Sequence, residues 1–221
     1  MDWQASGRDE TGRPDAAQAD AARALAADAE ALARLEPRFL RLLAAHGLPA
    51  PREAPRGLGG LVRAVVGQQL SIHAAARIWA RLQALCDPGD PEALLALPPG
   101  ALRSAGLSAP KIRHVRGLAE AVSSGRLDLS RLPAADEEAV AALVALPGIG
   151  RWTAEIYLLF AERRRDVLPA GDLALQLAAA RLFGLAARPS ERALRAMAEA
   201  WSPRRSAAAH LLWHAYRLPP V

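Results

Sequence analysis

The sequence predicts an all-α protein, on three observations. Hydrophobic residues make up 52% of the 221 residues, mostly Ala and Leu, and only 5% are aromatic, a composition suited to helices packed closely on small side chains. No run of β-branched residues alternates with polar ones, so strand signals are scarce. Apolar residues recur at three- and four-residue spacing between Pro and Gly clusters, the pattern of amphipathic helices and their turns.

Residues 1–18 are polar and Gly/Ala-rich, which predicts a disordered tail. Asp20 to Ala33 reads as an Ala-rich helix, and Leu35, Phe39, Leu42 and Leu43 mark an amphipathic one ending at Gly47. Pro49, Pro51, Pro55, Gly57, Gly59 and Gly60 read as a loop. Leu61 to Val66 is a helix stopped near Gly67, and Gln68, Gln69 and Leu70 form a corner. Ser71 then caps a helix running through Ile72, Trp79 and Leu82 to Leu85. Pro88 to Pro91 is a turn, followed by a short helix from Glu92 to Leu97, a Pro98-Pro99-Gly100 stop, and a further segment from Ala101 to Ala105. A helix is expected from about Pro110 to Ser123; Lys111, Arg113 and Arg116 on it face either phosphates or water. Asp136, Glu137 and Glu138 suit the positive end of the next helix dipole.

The net charge is +5, and the excess is uneven: residues 151–221 carry 11 basic against 6 acidic side chains. A basic surface there would attract phosphates. The single cysteine, Cys86, excludes an internal disulfide and a four-cysteine zinc or iron–sulfur site. His46, His73, His114, His210 and His214 have no metal-ligand spacing beyond the lone pair His210 and His214, so no metal site is expected. No apolar stretch of membrane-spanning length occurs and the N-terminus has no signal-like segment, so the expected location is the cytoplasm, on the nucleoid, with no membrane partner.

The most informative stretch is Leu146-Pro147-Gly148-Ile149-Gly150-Arg151-Trp152-Thr153-Ala154, followed by Pro169-Ala170-Gly171-Asp172. Gly148 and Gly150 allow a tight turn between two helices, the second running from Arg151 to about Glu162. The first amides of that second helix lack intrahelical acceptors and sit at its positive end, a ready site for a phosphate. Leu146 and Ile149 would plug the hairpin, and Arg151 would add positive charge at its mouth. Asp172 precedes the apolar series Leu173, Leu175, Leu177, Leu182 and Phe183, the position of a helix N-cap. Trp79 and Trp201 read as packing residues.

In that order and spacing, the LPGIGRWTA hairpin, Gly/Pro loop and aspartate resemble the helix-hairpin-helix (HhH-GPD) DNA glycosylases. Leu61 to Ser71 is similar to that superfamily's early helix and turn, and Trp201 through Trp213 to its last helix. The likeness covers about residues 35–217 and is strongest to the alkylpurine, 3-methyladenine type II, branch. It implies a two-lobed helical fold with a cleft between the lobes. One lobe would be about 57–160, with the hairpin at 146–151; the other would be about 19–56 plus 165–221.

The implied partner is damaged duplex DNA, bound by a monomer through Gly148, Ile149, Gly150, Arg151, Thr153, Gln68, Gln69 and Leu70. Either Gln69 or Leu70 would be the wedge that fills the gap left by an extruded base. Asp172 would be the catalytic carboxylate, and Trp152 and Trp213 aromatic walls of the base pocket. Ile156 and Leu173 stand where some relatives have pocket tyrosines. Bifunctional relatives carry a nucleophilic lysine where this chain has Trp152, which implies an enzyme that uses water and leaves the strand intact. No cofactor is implied, apart from a monovalent cation that hairpin carbonyls hold in some members. The alternatives are a glycosylase for oxidised, deaminated or mismatched bases, and a non-catalytic hairpin module that only grips DNA.

Overall fold

The computed structural model describes residues 16–52 and 54–219. They form twelve α-helices and two short 3-10 segments, with no strand among them. The disordered tail expected over residues 1–18 lies for the most part outside the described residues. From Ala16 onward the chain is helical, because the Ala-rich pattern extends further than Asp20.

The described residues divide into two compact units, one within 54–162 and the other made of 16–52 with 163–219. In the first unit the central element is the third helix of the chain, α3 (Gly57–Gly67), buried on nearly every side. Around it pack α4 (Ile72–Leu85), α7 (Ala109–Ser123) and α9 (Arg151–Phe160). The short α5 (Pro91–Ala96) and α6 (Pro99–Ala105) join α4 to α7, and α8 (Asp136–Val144) pairs with α9.

The loop expected at Gly57–Gly60 is instead the first turn of α3. A Cβ at Gly60 would lie 2.1 Å from the Pro55 carbonyl oxygen, and one at Gly59 would lie 3.5 Å from Gly89 Cα. These glycines serve close packing rather than a break in the helix. Pro99 and Gly100, expected to stop α5, open α6, where the missing proline N–H is not needed.

The second unit is built on α1 (Ala16–Leu35), α2 (Pro37–His46), α10 (Leu173–Phe183), α11 (Glu191–Met197) and α12 (Arg205–Arg217). Leu25, Ala29, Leu32 and Ala33 form the buried stripe of α1. Phe39, Phe183 and Trp201 make an aromatic cluster with ring centroids 5.5–5.7 Å apart, so Trp201 is a packing residue as expected. Trp79, in the first unit, is likewise buried. The buried Asp28 on α1 pairs with Arg165 and with Arg204 Nε at 3.5 Å, so the polar loop after α9 is held by charge.

Candidate active site

The hairpin lies wholly in the first unit. α8 closes at Ala145, Leu146 N–H donates to Leu143 O at 3.0 Å, and Ile149 N–H returns to Leu146 O at 3.2 Å. Gly148 takes φ +83, as the turn requires, and a Cβ there would stand 2.2 Å from the His114 ring. Gly150 differs from expectation. Its φ is −86 with open space around its Cβ position, so any residue could adopt this backbone. What glycine supplies at that point is the lack of a capping side chain, since α9 begins without a side-chain N-cap bond.

Ile149 is buried and plugs the turn, whereas Leu146 is only half-buried. Thr153, expected on DNA, is 3% exposed, with its hydroxyl accepting from Gln68 Nε2 at 3.0 Å. Its side chain supports the hairpin from beneath, and only its backbone amide belongs to the helix terminus. Gln68 also donates to Gly148 O at 3.0 Å and so faces the hairpin. Arg151 does not add a simple positive charge: its guanidinium bridges Glu137 and the buried Glu155. Among the other basic residues of the C-terminal stretch, Arg165, Arg195, Arg204 and Arg205 are also in ion pairs.

The corner after α3 exposes Gln69 and Leu70. Gln69 takes φ +56, a left-handed conformation that costs a residue with a Cβ about 1–2 kcal/mol. Leu70 N–H closes the turn onto Gly67 O at 3.3 Å. Lys111, whose direction was open from sequence, turns inward: Nζ donates to Val66 O at 2.9 Å and Gln68 O at 2.8 Å. Burial lowers its pKa from the ordinary lysine value. Trp152 is half-buried on α9, and Ile156, one turn on, is 2% exposed and part of the core.

In the second unit the Pro/Gly loop turns tightly, with Asp172 N–H donating to Pro169 O at 2.8 Å. Asp172 is the N-cap of α10, as expected. Its Oδ1 accepts from Ala174 N–H at 2.9 Å and Leu175 N–H at 3.1 Å. The indole Nε1–H of Trp213 donates to the same oxygen at 3.3 Å, so α12 helps to aim the carboxylate. Gln176 fixes the loop from below, donating to Ala170 O at 2.8 Å while its Oε1 accepts from Arg188 at 2.7 Å.

The sequence reading missed Arg52, whose guanidinium lies 5.6 Å from the centre of the Trp213 ring. Trp213 is 7% exposed. The expected aromatic wall is therefore already covered, and in this conformation Trp213 orients Asp172 rather than presenting an open face. Nothing in the local pattern around Arg52 signals this contact, which joins residues far apart in the chain. Leu173, beside Asp172, is exposed.

The first unit thus carries a helix-hairpin-helix turn with a glycine-capped terminus, and the second a carboxylate set at a helix terminus by an indole. Residues 62–204 match the HhH-GPD superfamily of base excision DNA repair proteins, and the chain belongs to that family. It is 35% identical over 165 residues to DNA-3-methyladenine glycosylase 1 of Schizosaccharomyces pombe, covering 72% of each chain. The solved structure of the 3-methyladenine DNA glycosylase of that yeast in complex with abasic DNA superposes with TM-score 0.79 at 31% identity, covering 86% of this chain and 97% of that one. A DNA-3-methyladenine glycosidase from Bacillus halodurans gives TM-score 0.75 at 35% identity, over 86% and 88% of the two chains.

Proposed function

We infer that this protein is a monofunctional DNA glycosylase that removes alkylated purines, of the 3-methyladenine type, from duplex DNA as a monomer. The observation that carries this reading is the Asp172 carboxylate, held on Oδ1 by two helix amides and the Trp213 indole. Breaking an N-glycosidic bond sends the bonding pair to the base and leaves positive charge on the deoxyribose. A fixed carboxylate stabilises that charge, and water then adds at C1′ while its proton is lost. Alkylation of a ring nitrogen makes the base a better leaving group, so one well-aimed carboxylate is enough.

Two features support hydrolysis over strand cleavage. Trp152 has no amine, and the sole lysine of the chain, Lys111, is engaged with two backbone carbonyls. A monovalent cation at the hairpin would be held by backbone carbonyls such as Gly148 O and Leu146 O, each of which accepts one hydrogen bond and keeps a second lone pair; no step is assigned to it. No group of His, Cys, Asp and Glu among the described residues could hold a metal, and no described helix is long and apolar enough to cross a membrane.

The test is incubation with methylated duplex DNA, chromatography of released bases, and a strand gel with and without hot alkali. Free 3-methyladenine, with breaks only after alkali, is expected. Breaks without alkali would refute the monofunctional reading, and release of oxidised or deaminated bases alone would favour the other substrate class.

A further inference from the structure

The corner that exposes Gln69 and the hairpin that ends in Gly150 are both held from one helix, α7. Lys111 and His114 stand one turn apart on it. Lys111 Nζ donates to Val66 O and Gln68 O, carbonyls at the C-terminal end of α3 that have no intrahelical donor and favour a cation. Gln68 is thus fixed through its backbone by Lys111 and through its side chain by the hairpin, at Gly148 O and Thr153 Oγ1. On the other side of the same turn, the His114 ring fills the space where a Cβ on residue 148 would stand. Gln69, exposed and left-handed, immediately follows the residue fixed twice.

We propose that Lys111 is a positioning residue that sets the base-displacing corner at a fixed distance from the phosphate-gripping hairpin. This rests on the glycosylase reading above. A wedge replaces lost stacking only if it enters the helix while the hairpin holds the backbone, so a slack corner slows flipping more than it slows bond cleavage. The requirement is a cation that reaches two carbonyls at once. Arginine meets it and methionine, of similar length, does not.

The experiment compares wild type, Lys111→Met and Lys111→Arg in single-turnover release of 7-methylguanine. One substrate pairs the lesion with cytosine; in the other it lies in an unpaired bubble, already unstacked. Lys111→Met is expected to slow release from the paired duplex about tenfold or more, with much less effect in the bubble, and Lys111→Arg to restore both. Equal loss on both substrates, or no loss, would overturn the proposal. A second readout is independent of chemistry: 2-aminopurine beside an abasic site brightens when a wedge unstacks it. Wild type and Lys111→Arg should raise that fluorescence and Lys111→Met should not, at protein concentrations that saturate binding. Failure of the two readings is distinguishable: no release of any alkylated purine by wild type from methylated duplex DNA would sink the glycosylase reading, whereas release by wild type with equal fluorescence from wild type and Lys111→Met would sink this proposal alone. Should Lys111→Met melt well below wild type, Gln68→Glu, which cannot donate to Gly148 O, gives the same comparison without touching the lysine.

Discussion

The hairpin and the aspartate loop are both Pro/Gly turns that deliver the chain into an α-helix, and they treat the first amides of that helix in opposite ways. At α9 the cap is Gly150, which has no side chain to accept from those amides, and the terminus suits an anion brought from outside. At α10 the cap is Asp172, whose own carboxylate takes the amides of Ala174 and Leu175 and is thereby aimed. The dipole is the same at both ends. The cap residue decides whether the first amides of a helix stay open to an outside acceptor or are taken by the chain's own carboxylate.

The largest expected effect comes from Asp172→Asn. Asparagine is as good an N-cap and keeps an acceptor for the two amides, so the fold should persist while the negative charge is lost. Base release should fall by about a hundredfold or more with DNA affinity largely kept. A variant that turns over normally would remove Asp172 from the chemistry.

Converting one terminus toward the other is the next test. Gly150 has a backbone that any residue adopts and space for a side chain, so Gly150→Asp should cap α9 internally and raise stability by about 0.3 kcal/mol, since glycine is itself a tolerable N-cap. Duplex DNA affinity should drop about tenfold, because the new carboxylate both occupies the amides and repels phosphate. Gained stability with unchanged affinity in a titration would show that the hairpin amides do not hold DNA.

Trp213→Phe keeps a ring beneath Arg52 but removes the N–H that reaches Asp172. A loss of about tenfold in kcat, with KM little changed, is expected for a positioning bond. An effect on KM alone would return Trp213 to substrate stacking.

The smallest effect concerns acid. Burial pushes the His210 imidazole, one turn before Trp213, down to about 4 from 6.5. Its contribution to stability is complete above pH 6.5 and fades as pH falls toward 4, because the unfolded chain binds the proton first. Asp166 acts at lower pH: burial raises its pKa, but hydrogen bonds from Arg205 and Ser202 outweigh that and hold it below the usual carboxylate range. Thermal melts should therefore show Tm falling below pH 6.5, and His210→Leu should flatten that slope.

Much of this was legible in the chain itself. The Ser71 cap, the Gly47 stop, the positive φ at Gly148 and the capping role of Asp172 each depend on residues within about four positions, where periodicity and cap chemistry act. The same local reading misjudged Gly59 and Gly60, because a glycine that permits close packing looks like one that makes a turn. It did not foresee the bonds that the Thr153 and Arg151 side chains make within the scaffold, for a related reason: a polar side chain beside such a turn can face outward or inward.

The sequence by itself determined that this chain is helical, where its two decisive turns fall, and that a carboxylate caps the helix after the second. The tertiary structure alone decided which side chains hold those turns in place. Lys111 reaches a carbonyl 45 residues away, Gln68 one 80 residues away, and Trp213 a carboxylate 41 residues away. A cap is written in its neighbours, but a contact across such separations exists only once packed helices have fixed both ends.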